Sequence, residues 1–117
     1  FNVNAPAIAA GAAAVADRDW AAESAAKNAR WRHWLATRLA EAGAPCTRSH
    51  GNFVLAAFGA DGPASAAEAD AFLKARGLIA RRMEGYGLPA HLRISVGTGE
   101  ACEAVAAAVA AFRRERA

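Results

Sequence analysis

Cysteine is scarce in this chain, with two in 117 residues, Cys46 and Cys102. They lie far apart, and neither belongs to a set of close-spaced Cys and His residues of the kind zinc sites use. One such pair also falls short of the disulfide framework of a small secreted domain. The expectation is two buried or half-buried thiols in a reducing compartment. Long apolar runs are missing as well. None approaches the ~18 residues of a membrane span, and no signal-peptide pattern is present, so no membrane partner and a cytoplasmic location are expected. Charge of one sign is nearly balanced, 14 Lys+Arg against 11 Asp+Glu for a net charge of +3. The sequence pI of about 9.4 therefore reflects a small surplus. The one basic cluster, Arg113-Arg114-Glu115-Arg116, closes an apparent helix, where cations favour the last carbonyls. A nucleic-acid partner is not expected.

Other absences remove whole chemistries. His33, His50 and His91 share no metal-ligand spacing, so no metal is expected. The only lysines, Lys27 and Lys74, sit amid charges on helix surfaces, unlike the desolvated amine that Schiff-base chemistry needs. Gly85-Tyr86-Gly87 lacks the third glycine of a dinucleotide fingerprint and does not open a helix after a strand. No nucleophile–base pair stands out.

What is abundant is alanine, which supplies much of the 55% hydrophobic content. Alanine favours helix and buries little area, so its runs signal helices rather than a large core. The length suits one domain spanning 1–117. Residues 5–16 read as a short helix, apolar nearly all round and in need of cover. A long helix capped by Asp17 or Asp19 runs to about Ala42, with Gly43 as its stop and Pro45 beyond. Ala21, Ala25, Asn28, Trp31, Leu35, Leu39 and Ala42 form one face of it. Asn52 to Phe58 has the apolar density of a buried strand. Ser65-Ala66-Ala67-Glu68 fits a capping box, starting a helix that buries Ala69, Phe72 and Leu73 and stops at Gly77. Leu78–Met83 reads as a second strand and Leu92–Val96 as a third, with Leu92, Ile94 and Val96 on one face and Arg93 and Ser95 on the other. Thr98 caps a last helix. The fold class expected is α+β, a two-layer domain with a mainly antiparallel sheet of about three strands and helices packed on one face.

Arg93 leaves its strand opposite the core face, and Arg81 lies near the end of the adjacent strand. If those strands pair, two rigid guanidinium forks meet at one place, which suits a phosphate or a carboxylate. The alternative is a pair of surface arginines lying over apolar strands. Tyr86 packs in its loop or faces a ligand. Asn52 pins neighbouring backbone or joins the site. Trp20, Trp31 and Trp34 read as packing residues of the long helix.

Four strings now carry a resemblance: Gly51-Asn52-Phe53-Val54-Leu55, Arg76-Gly77-Leu78-Ile79-Ala80-Arg81-Arg82, Gly85-Tyr86-Gly87-Leu88-Pro89, and Leu92-Arg93-Ile94-Ser95-Val96-Gly97-Thr98-Gly99-Glu100. In this order and spacing, and with Phe1-Asn2-Val3-Asn4 at the start, the chain resembles the C-terminal part of the histidinol-phosphate aminotransferases. These are pyridoxal-phosphate proteins of the aspartate aminotransferase fold type. The resemblance implies a fragment: a C-terminal small domain with residues 1–16 as linker and leading helix, and the large cofactor-binding domain absent. It implies amino transfer between glutamate and imidazole-acetol phosphate in histidine biosynthesis, pyridoxal 5'-phosphate held mainly by the missing domain, small-molecule substrates and a homodimer in the full enzyme. Arg93 then binds the substrate carboxylate or phosphate, and Arg81 assists, unless strand register turns Arg82 to the substrate instead. Asn52 and Tyr86 are further candidates. The fragment alone is expected to be inactive. A threonine-phosphate decarboxylase, an aromatic aminotransferase or a free-standing anion-binding regulatory module are the competing expectations.

Overall fold

The four helices start and stop where backbone groups find local partners. In a computed structural model that describes residues 2–116, α1 spans Ala5–Ala16 and α2 spans Arg18–Glu41. The Asn4 side chain accepts from Ala7 N, and Asp17 accepts from Trp20 N to open α2. At the end of α2, Gly43 takes φ +81° and Ala44 N donates back to Leu39 O at 2.8 Å, satisfying carbonyls the helix leaves orphaned. α3 (Ala66–Lys74) is capped by Ser65, which accepts from Glu68 N. The reciprocal half of the expected capping box is not formed, because Ser65 N bonds Gly62 O instead. Thr98 accepts from Ala101 N and opens α4 (Gly99–Glu115).

Between the helices run β1 (Phe53–Ala57), β2 (Arg81–Arg82) and β3 (His91–Ser95), with a 3-10 turn at Glu84–Tyr86. The sheet is antiparallel in the order β1-β3-β2. Val54 and Ala56 of β1 and Leu92 and Ile94 of β3 are buried, and they meet Leu35 and Leu39 of α2, Phe72 and Leu73 of α3, and Val109 and Phe112 of α4. All three helices thus pack on one sheet face, and the architecture is the expected two-layer α+β. Phe112 anchors the layer edge-to-face against Phe58 and Phe72.

One expectation needs correction, and two helices leave much of their apolar surface open. The second strand is two residues long rather than spanning Leu78–Met83. Leu78 N is spent on Leu73 O in the turn at Gly77 (φ +75°), and Ile79 is 85% exposed, so the apolar run 78–80 lies along the domain edge without a ladder. The apolar face of α2 is buried only from Leu35 onward, because α4 and β1 reach only its C-terminal half; Ala21 and Ala25 stay exposed. The α1 helix has no buried residue, and Ile8 and Val15 face solvent. Its projection stretches the molecule to 51 × 31 × 25 Å.

Candidate functional site

The sheet face away from the helices carries Phe53, Leu55 and Ala57 of β1, His91, Arg93 and Ser95 of β3, and Arg81 of β2. Strand alternation puts them there: those of β1 and β3 are each one residue out of phase with a buried neighbour, and Arg81 joins them through its pairing with Arg93. The register decides which arginines meet. Arg81 pairs directly with Arg93, and Arg93 in turn with Leu55, so the two guanidinium-bearing residues are nearest cross-strand neighbours on the bare face. Arg82 pairs with Leu92 and therefore projects to the other side, where its guanidinium is ion-paired with Glu84. The question of which arginine accompanies Arg93 has a geometric answer, Arg81.

Neither Arg81 nor Arg93 has a carboxylate partner among the described residues, whereas Arg38, Arg76, Arg82 and Arg116 each have one. Like charges directly opposite on paired strands repel, so this pair is an uncompensated concentration of positive charge. Each member rests instead on an aromatic ring. The Arg93 guanidinium carbon lies 5.3 Å from the Phe53 ring centroid, and that of Arg81 lies 5.3 Å from the Tyr86 ring. Arg81 also donates to the Tyr86 hydroxyl at 2.8 Å. Tyr86 is held in reach by the 3-10 turn, which Gly87 ends at φ +75°. Guanidinium forks without carboxylate partners suit a tetrahedral or planar oxyanion.

The Asn52 side chain pins no neighbouring backbone among the described residues. It is exposed, and the Asn52 main-chain carbonyl accepts the cross-strand bond from Val96 N. The pinning is done to its neighbour: Asn28 Nδ2 and Arg32 donate to the Gly51 carbonyl at 3.2 and 3.0 Å. Sequence spacing hid this, because both donors sit on α2, about twenty positions upstream. His91 shares the bare face with Arg93, and its buried Nδ1 has no hydrogen-bond partner. His33 and His50 line a different cleft, of about 330 Å³, with Arg32 and Arg48 between α2 and the segment 46–50.

Burial disfavours both thiols as nucleophiles. Both are unpaired, and burial pushes the Cys46 thiol up to about 11 and raises that of Cys102. Both lysines are engaged on helix surfaces, Lys27 with Glu23 at 2.6 Å and Lys74 with Asp70 at 2.7 Å. Arg113, partly buried over the Phe58 ring, donates weakly to Ala57 O, and burial lowers its affinity for its proton. No set of three or more His, Cys, Asp or Glu residues able to hold a metal occurs among the described residues, and no described helix is long and apolar enough to cross a membrane.

Comparison with known proteins gives this geometry a context. A histidinol-phosphate aminotransferase of Dinoroseobacter shibae is 50% identical over the whole chain, which covers 32% of that protein. One from Rhodospirillum rubrum is 46% identical over 96% of the chain and 30% of the relative. The chain thus spans about a third of the length of these curated relatives. A solved Burkholderia pseudomallei structure described as an aminotransferase superposes with a TM-score of 0.70 at 32% identity, over 83% of this chain and 29% of that one. Residues 1–109 match the family of class I and II aminotransferases, and the chain belongs to that family.

Proposed function

We propose that this chain is the C-terminal small domain of a pyridoxal-phosphate-dependent histidinol-phosphate aminotransferase, and that Arg93 and Arg81 together hold the anionic end of its substrates. The carrying observation is the direct pairing of these two arginines on the bare face with no carboxylate to neutralise them. The 50% identity to histidinol-phosphate aminotransferases supports this substrate class over a threonine-phosphate decarboxylase, an aromatic aminotransferase or a free-standing regulatory module.

In the reaction, glutamate and imidazole-acetol phosphate exchange an amino group, so one site meets a carboxylate and a phosphate in turn. Paired forks serve both: Arg93 takes the carboxylate or phosphate in a bidentate grip, and Arg81 adds charge and hydrogen bonds for the more highly charged phosphate. Fixing that end orients the reacting carbon without contributing to the bond changes. Tyr86 holds the Arg81 side chain, its hydroxyl accepting from Arg81 and its ring facing the guanidinium.

The residues of this chain do not fit the anchoring of pyridoxal phosphate. Both lysine side chains are exposed and engaged by carboxylates, far from the desolvated state a covalent attachment needs. The cofactor belongs to residues outside these 117, in a large domain of a dimeric enzyme, and the isolated chain is inactive. Unpaired thiols suit the reducing cytoplasm where such a biosynthetic enzyme works.

The test is Arg93→Ala in the full-length enzyme. Loss of two charge-assisted hydrogen bonds, each about 1.5–3 kcal/mol, lowers kcat/KM by about 100-fold or more with both histidinol phosphate and glutamate. Near-normal turnover by this variant would reject the assignment.

A further inference from the structure

We infer that Phe53, backed by Gly51, is a positioning residue for the substrate-binding arginine: it sets the direction of the Arg93 guanidinium before an anion arrives. The inference deepens the proposed function and rests on it. Phe53 opens β1 opposite Ser95, and Leu55, two positions on, is the residue opposite Arg93. Its ring is therefore the diagonal neighbour of Arg93, within reach of a long side chain, and the guanidinium sits 5.3 Å from its centroid.

Phe53 is half-buried on the bare face and takes no part in the core cluster beneath the sheet. Its ring also lies close to the Gly51 backbone. A Cβ at Gly51 would stand 2.9 Å from Cε1 of the ring, closer than carbon atoms tolerate, and a tight 3.2 Å from Cδ1. The ring lies against the Gly51 backbone because that residue has no side chain.

Gly51 is itself immobilised. Asn28 and Arg32 of α2 donate to its carbonyl, its N–H donates to Ser49 Oγ at 3.3 Å, and Ser49 Oγ donates in turn to Phe53 O at 2.6 Å. The order of support runs from α2 through the Gly51 peptide and the Phe53 ring to Arg93. An aromatic face holds a guanidinium by its quadrupole while leaving the N–H fork free for a ligand, which a carboxylate partner would not.

The full-length enzyme tests this with Phe53→Leu, Phe53→Tyr and Gly51→Ala, assayed with histidinol phosphate. Phe53→Leu keeps bulk and loses the quadrupole, so KM rises about 3- to 10-fold while kcat stays within about twofold. Phe53→Tyr keeps the ring face and returns KM to within about twofold of wild type. Gly51→Ala displaces the ring without removing it and raises KM in the same direction. An unchanged KM in Phe53→Leu, or a Tyr variant no better than Leu, overturns the inference. If Phe53→Leu does not fold, an unchanged KM in Gly51→Ala overturns it instead. The two failures separate cleanly: an inactive Arg93→Ala beside an unaffected Phe53→Leu sinks the role of Phe53 alone, whereas an active Arg93→Ala sinks the substrate reading beneath it.

Discussion

The two faces of one small sheet behave as different materials. Toward the helices, Val54, Ala56, Leu92 and Ile94 are at most 4% exposed and sit among leucines and phenylalanines. On the opposite face the same strands present Arg93, Arg81, Ser95 and His91, with Phe53 and Leu55 half-covered between them. A shift of one residue along a strand exchanges these environments, so the register that completes the core is also what brings Arg81 beside Arg93. The core side determines whether the domain exists. The bare side sets Arg81 directly opposite Arg93, and neither has a carboxylate partner among the described residues.

The sharpest contrast comes from adjacent residues of β3. Leu92→Ala removes a fully buried side chain and should cost about 2–5 kcal/mol of stability. Arg93→Ala, one position on, should shift stability by no more than about 0.5 kcal/mol. Urea unfolding of the two variants checks this, and a large loss in Arg93→Ala would make the bare face a structural one. Next in size is a response to anions. At ten times its Kd, inorganic phosphate should stabilise the wild-type chain by about 1.4 kcal/mol through binding the folded form alone. Arg93→Gln should lose most of that gain in a thermal melt with added phosphate.

The smallest effect concerns Cys46, which bridges to Ala56 and so lies on the core side. Its thiol holds a proton more tightly in the fold than in the unfolded chain, so its contribution is intact below pH 9.0 and is lost as pH rises through about 11. Urea midpoints compared between wild type and Cys46→Ala across that window should converge at the alkaline end. Rapid alkylation of Cys46 in the folded chain at neutral pH would contradict its burial.

Much of this was legible in the sequence because local chemistry wrote it there. Asp17, Ser65 and Thr98 announced helix starts through side chains that accept from nearby N–H groups, and Gly43 and Gly77 announced ends through positive φ. Alternation in Leu92–Val96 was enough to turn Arg93 away from the core. The length of β2 was not legible, since Leu78-Ile79-Ala80 has the composition of a strand but spends Leu78 N on closing α3. Nor was the support behind Arg93, because Asn28 and Arg32 reach Gly51 across the fold and no spacing rule joins them. Choosing Arg81 over Arg82 likewise required the register.

The central claim is that Arg81 and Arg93 grip one anion jointly. A double-mutant cycle tests it most directly, with the Kd of histidinol phosphate measured for the full-length wild type, Arg81→Ala, Arg93→Ala and the double variant. Shared grip predicts that the double variant loses less than the two single losses combined, by about 1 kcal/mol or more. Losses that add to within about 0.5 kcal/mol would mean two arginines acting independently, and the account would fail.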